Sequence, residues 1–213
     1  MRKRAYFAGL LLIILPLSWV FAQTRPDALV EYRNRNYERA VEICVNEIRE
    51  NRNNMEAHVV ICWSLIQLGR YEEARTYALE GRSISRYDPR IIEILGEVSY
   101  FLGQNNEALQ YFQEYINLAP ERDRIETVYY YIGEIYIRLG RFRHADIALS
   151  TAVHYTPGNA AWWLRLAYAR ESAGEAGDLQ EAVTAYERAL SLNPQLSDAQ
   201  RGLDRVRRAL GRR

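Results

Sequence analysis

One lysine, two cysteines and three histidines in 213 residues leave little to build an active site from. Lys3 is the one lysine, so every later positive side chain is an arginine, which forbids Schiff-base chemistry and a lysine nucleophile. His58, His144 and His154 fall in no His-Glu-x-x-His pattern and pair with no cysteine at metal-ligand spacing. There is no glycine-rich phosphate loop. Carboxylates one turn apart, such as Glu93 and Glu97, are commonplace on charged helices and do not by themselves make an acid–base pair. The sequence therefore predicts no enzyme, no metal site and no cofactor.

Long apolar runs are scarce as well, and the one present lies at the N-terminus. Arg2, Lys3 and Arg4 precede an apolar stretch over residues 5–17, broken by Gly9 and Pro16, and Val20, Phe21 and Ala22 end it with the small residue a signal peptidase needs. The expectation is a cleaved secretory signal over residues 1–22, with a mature chain starting near Gln23. An uncleaved anchor is the alternative, because the run is just long enough to span a bilayer, although Pro16 late in it favours cleavage. No cysteine follows the run, which excludes lipid attachment through an N-terminal Cys. Eleven asparagines without one Asn-x-Ser/Thr acceptor fit a bacterial envelope better than a eukaryotic secretory route. The expected location is the periplasm of a diderm bacterium, with no stable membrane insertion after cleavage.

Without the signal the basic residues number 25 instead of 28 against 27 acidic ones, so the balance moves from +1 to −2. A clustered positive field for phosphate backbones is absent, and nucleic acid is excluded as a partner. At 48% hydrophobic and 26% charged the composition is that of an ordered globular chain.

What the chain does have is repetition. "LGRYEEA" at residues 68–74 returns as "LGRFRHA" at 139–145, and aligning on the final Ala gives Ala40, Ala74, Ala108, Ala145 and Ala182, at intervals of 34, 34, 37 and 37. A glycine precedes it in four copies, as Gly69, Gly103, Gly140 and Gly174, and Pro120, Pro157 and Pro194 follow at an even 37. A fixed period in the thirties with helical patterning marks a solenoid of helix pairs. In the fourth copy Tyr129, Ile132, Gly133 and Tyr136 form one helical stripe and Phe142, Ala145, Leu149 and Ala152 the next, joined at Leu139-Gly140 and stopped at Pro157.

These residues resemble the tetratricopeptide repeat. The third copy has Ile92, Leu95, Gly96, Ala108, Phe112 and Pro120; the fifth has Trp163, Leu166, Ala167, Ala182, Tyr186, Ala189 and Pro194. The second has Ile61, Cys62, Leu65, Gly69, Tyr71, Ala74 and Ala78, with Gly81 where a second Ala is usual. The first copy is weakest, with Ala28, Tyr32, Tyr37 and Ala40 in place but Arg35 at the turn glycine and Cys44 at the aromatic. The resemblance implies an all-α, right-handed superhelical solenoid of about five helix-turn-helix repeats over residues 24–196. Their expected bounds are 24–54, 55–88, 89–123, 126–159 and 160–196. A capping helix with a basic tail follows over residues 197–213, where Ala199, Leu203, Val206 and Leu210 make the apolar stripe and Arg201, Arg205, Arg208 and Arg212 the wet side.

Carrying over the family's groove positions places Val59, Trp63 and Ile66, then Glu93, Glu97 and Tyr100, then Tyr130, Glu134 and Ile137, then Leu164, Tyr168 and Glu171 on a concave wall. That reads as an aromatic wall with four carboxylates, for an apolar or basic partner. The Lys and Asn clamp with which some members hold a C-terminal carboxylate has no counterpart, since Val59 and Trp63, or Glu93 and Glu97, stand there. "VYYYIG" at residues 128–133 cannot bury Tyr129, Tyr130 and Tyr131 on one stripe, so at least one faces the groove or solvent. Cys44 and Cys62 fall on neighbouring helices, where they could form a disulfide worth ~3 kcal/mol or pack as small apolar residues. The function expected is a non-catalytic adaptor gripping a protein or peptide in cell-envelope assembly, secretion or transport. The alternatives are a carrier of a small apolar ligand or accessory to a solute-binding protein, and a self-associating scaffold.

Overall fold

The computed structural model describes residues 26–121 and 124–211; the expected signal segment, residues 1–22, and Arg212 lie outside them. The described residues form eleven α-helices and no strand. They run as pairs: α1 (Ala28–Arg33) with α2 (Tyr37–Glu50), α3 (Met55–Gln67) with α4 (Tyr71–Ile84), and α5 (Pro89–Phe101) with α6 (Asn105–Leu118). Then come α7 (Ile125–Arg138) with α8 (Phe142–Tyr155), α9 (Ala160–Ala173) with α10 (Ala176–Leu192), and a last single helix, α11 (Ser197–Leu210). No described helix is long and apolar enough to cross a membrane.

Helix starts and stops follow local chemistry. Asp27, Asn54, Asp88 and Asn159 accept hydrogen bonds from the free amides of the helices they open, and Pro89 occupies the first turn of α5, where its missing N–H costs nothing. Within each pair the chain reverses at a left-handed residue: Gly69, Gly103, Gly140 and Gly174 have φ of 71°, 75°, 67° and 81°. In the first pair Arg35 does the same at 64°. A side chain there crowds the following carbonyl, at a cost of roughly 1 kcal/mol.

Close approach within a pair requires small residues. A Cβ on Gly133 would stand 2.5 Å from Leu149 Cγ, and one on Gly96 would stand 2.5 Å from the Phe112 ring. Gly81 also has its reason, since a Cβ there would meet Ile91 Cδ1 at 2.9 Å. Leu65, Ile91, Leu95, Phe112, Leu149, Leu166 and Tyr186 are buried between the layers these contacts define.

Curvature comes from unequal spacing of the two layers. Each odd-numbered helix touches the next odd-numbered one, whereas no two even-numbered helices come together. Long side chains span the outer gap, Arg75 to Glu107 at 3.2 Å, Arg82 to Glu114 at 2.8 Å and Arg143 to Asp178 at 3.5 Å. The odd helices therefore line the concave side. The helix α11 packs on α10 and α9, continuing the inner layer, and it buries Ala199, Gly202, Leu203 and Val206 while Arg201, Arg205, Arg207 and Arg208 face solvent.

Candidate functional site

The concave wall is built from α3, α5, α7, α9 and α11. Of the residues the sequence assigns to it, Val59, Ile66, Glu93, Glu97, Tyr100 and Glu134 are buried, Trp63, Tyr130, Ile137, Leu164 and Glu171 are half-buried, and Tyr168 is exposed. Val59, fully buried in the first core cluster, is packing material and offers a partner nothing.

The four carboxylates are present but capped. Arg124 donates from Nε and Nη2 to Glu93 Oε1, at 2.9 and 2.7 Å, and from Nη2 to Glu97 Oε2 at 3.2 Å. Arg165 grips Glu134 at 2.6 and 2.9 Å, and Arg205 grips Glu171 at 2.8 and 2.9 Å. In each case the carboxylate lies beneath: side-chain exposures are 2% and 10% for Glu93 and Glu97 against 44% for Arg124, 11% for Glu134 against 33% for Arg165, and 18% for Glu171 against 51% for Arg205. A carboxylate at this depth needs a fixed partner, and an arginine of the following repeat supplies it, joined by Tyr131 at Glu97 and by Tyr186 of α10 at Glu171. The wall that reads as acidic in sequence therefore shows solvent its guanidinium groups.

The aromatic part of the wall falls in two groups, Tyr32 with Trp63 and a chain from Tyr100 through Tyr131 and Tyr130 to Trp162. Tyr32 on α1 lies 5.7 Å from Trp63, Tyr100 lies 4.7 Å from Tyr131, and Tyr130 stacks on Trp162 at 5.1 Å with 13° between planes. The three successive tyrosines part as helical geometry demands. Tyr129 packs in the central core cluster, Tyr130 turns to Trp162, and Tyr131 stacks on Phe112 and donates to Glu97 at 2.8 Å. Burial, reinforced by Glu134, pushes the Tyr130 hydroxyl up to about 12. Burial likewise pushes the Glu93 carboxyl up to about 7, with Arg124 opposing the rise and Glu97 adding to it.

Residues 130–197 match one family model of the tetratricopeptide repeat and residues 89–122 match another. The chain carries tetratricopeptide repeats. Among curated proteins none matches the sequence. Among solved structures, the fold is similar to MamA from Desulfovibrio magneticus RS-1, from its residue 41 to the end, at 18% identity and a TM-score of 0.68, over 80% of this chain and 93% of that one. It is similar to the C-terminal part of a TPR repeat-containing protein from Cytophaga hutchinsonii at 18% identity and a TM-score of 0.71, over 87% and 70% of the two chains. It is also similar to YrrB, a TPR protein with an unusual peptide-binding site, at 16% identity and a TM-score of 0.65, over 82% and 87%. Likeness at this identity speaks for the fold.

Several wall residues of this repeat array were not picked out by groove position: Tyr32, Arg124, Tyr131, Arg138, Trp162, Arg165 and Arg205. One signal was available, since Glu93 to Arg124 and Glu134 to Arg165 are both 31 residues apart and Glu171 to Arg205 is 34, close to the repeat period. The two cysteines are free thiols here, both fully buried in the first core cluster, and Cys62 Sγ donates to the Ala74 carbonyl at 3.4 Å. Burial pushes both thiols up, Cys44 to about 12. Among the described residues no cluster of three or more His, Cys, Asp or Glu could hold a metal ion. A cavity of about 660 Å³, lined by Val45, Ile48, His58, Tyr77 and Glu80, opens among α2, α3 and α4, and His58 there donates from Nδ1 to the Asn54 carbonyl, 2.8 Å away.

Proposed function

We propose that the protein is a non-catalytic adaptor of the periplasm, exported by its N-terminal signal, that engages a segment of a partner protein along the concave wall and serves cell-envelope assembly, secretion or transport. The carrying observation is that the wall is left open: α11 extends the inner layer instead of crossing it, so Trp63, Tyr130, Trp162 and Tyr168 stay accessible. Accessible aromatic side chains give large contact area at low entropic cost, which is the composition of a binding surface. A carrier of a small apolar ligand needs a covered pocket, and the curved, open wall offers an extended one. Export rests on the sequence pattern of residues 1–22.

The test is affinity capture from the native envelope, with the folded protein compared against Trp63→Ala combined with Tyr130→Ala. A protein held by the first and lost by the second, and cross-linked to α7 or α9, supports the adaptor reading. Equal capture by both sinks it. Cleavage before Gln23, read by mass spectrometry of the protein recovered from the envelope, tests the export step separately.

A further inference from the structure

Arginine–carboxylate pairs join successive repeats in both layers, but they are not alike. Between α4 and α6 of the outer layer the two partners are equally accessible, at 30% and 31% for Arg75 and Glu107 and 24% and 29% for Arg82 and Glu114. In the inner layer from Glu93 onward the acid is underneath and the guanidinium above, as the exposures of Glu134 and Arg165 show, whereas the earlier pair of Glu56 and Arg90 has the acid outermost. Each inner arginine of the C-terminal half uses Nε and Nη2 on its carboxylate, which leaves Nη1 out of the pair.

Arg138 departs further. It stands in the last turn of α7, where the helix end favours a positive charge. Its guanidinium lies 3.8 Å from the centre of the Tyr100 ring, and Nη1 donates to the Tyr100 carbonyl at 3.0 Å. Among the described residues it has no carboxylate partner. Tyr100 feels Arg138, Glu134 and Arg165 together, and so does Tyr130, so these groups share one neighbourhood. Two guanidiniums there face one carboxylate, and that carboxylate is the buried member. The stacked Tyr130 and Trp162 rings form an apolar floor beside them.

We propose that this stretch of wall, from the end of α7 across α9, binds an acidic segment of the partner protein, with a Glu or Asp side chain of the partner on Arg138 and Arg165 and an apolar side chain on the Tyr130–Trp162 pair. The proposal rests on the groove-adaptor reading and reverses the charge of partner that the sequence suggests. An extended segment places neighbouring side chains far enough apart to meet both features, and a guanidinium already held flat on a ring gives up little freedom when it takes a carboxylate. Lysine-rich segments meet guanidinium first and are turned away.

The experiment selects dodecamers from a random peptide display library on the full-length protein, then measures binding of the most enriched peptide, fluorescein-labelled, by anisotropy. The expected result is enrichment of net-acidic peptides, affinity lowered about tenfold by Arg138→Gln, and affinity raised several-fold by Glu134→Gln, which frees Arg165. Circular dichroism melting confirms that each variant is folded, and Arg138, having no buried partner charge, is the safer of the two to change. Basic or neutral consensus peptides, or binding indifferent to Arg138→Gln, overturn the inference while leaving the groove reading in place. No enrichment at all, or peptides whose binding survives Tyr130→Ala with Trp162→Ala, overturns the groove reading and this inference with it.

Discussion

In the fourth repeat Gly133 lies against Leu149 and Gly140 turns the chain; in the first repeat Ala28, Cys44 and Arg35 hold the equivalent places. A glycine against a leucine in one repeat and an alanine and a cysteine at the matching places of the other divide the crossing's volume differently, and all four end fully or almost fully buried. The supporting helices differ more, since α7 has fourteen residues and α1 has six. The turn differs most, because a left-handed glycine is unstrained and a left-handed arginine is not. The repeat motif is thus a constraint on summed size at the helix crossing, and an end repeat tolerates strain at its turn because only one neighbour depends on it.

The comparison can be broken most severely at the crossing. Gly133→Val should cost about 3 kcal/mol, because the Leu149 side chain has nowhere to retreat, and urea unfolding followed by circular dichroism reads it. Next comes Arg124, which with Arg35 is one of two non-glycine residues with positive φ among the described residues, at 78°. Unlike Arg35 it holds a buried carboxylate, so Arg124→Gly relieves strain yet should destabilise by about 2 kcal/mol at pH 8. The loss should shrink at pH 5. The folded Glu93 carboxyl titrates near 7 against 4.5 for the unfolded group, so bound protons favour the fold at pH 5 and that benefit fades as pH rises through 7. A loss independent of pH would show that Glu93 is not the group stranded.

Third, Cys44→Leu imports the fourth repeat's large residue without its glycine and should cost about 2 kcal/mol. Adding Ala28→Gly should recover a good part of that loss, and additive effects of the two changes would refute the shared-volume account. The smallest effect should come from exchanging the turns: Arg35→Gly should gain, and Gly140→Ala lose, about 1 kcal/mol each. Space is no obstacle at Gly140, where a Cβ would meet nothing within 4 Å, so backbone strain alone is being measured.

The tetratricopeptide architecture was legible because its determinants are local. Gly69, Gly103 and Gly140 announce their turns, and Ala74, Ala108 and Ala145 their helix crossings, at spacings a single sequence displays. The depth of the wall's carboxylates was not legible. Groove position puts Glu93, Glu134 and Glu171 on α5, α7 and α9, but depth depends on which arginine of the following repeat folds over each one, a contact between residues about thirty apart. Arg138 was harder still, because its partner is a ring and a carbonyl and neither leaves a charge pattern. Whether Val59 faced partner or core was likewise decided by the approach of α1 to α3, which the short first helix concealed.

The contrast between a touching inner layer and a parted outer layer makes the array a hinge with a stop. Curling it more tightly would drive α5, α7 and α9 into one another, whereas straightening it narrows the gaps that Arg75 and Arg82 span and stretches the inner pairs of Arg124 with Glu93 and Arg165 with Glu134. Resistance to bending therefore differs in kind in the two directions: collision of packed side chains opposes narrowing of the arc, and stretched ion pairs oppose its widening.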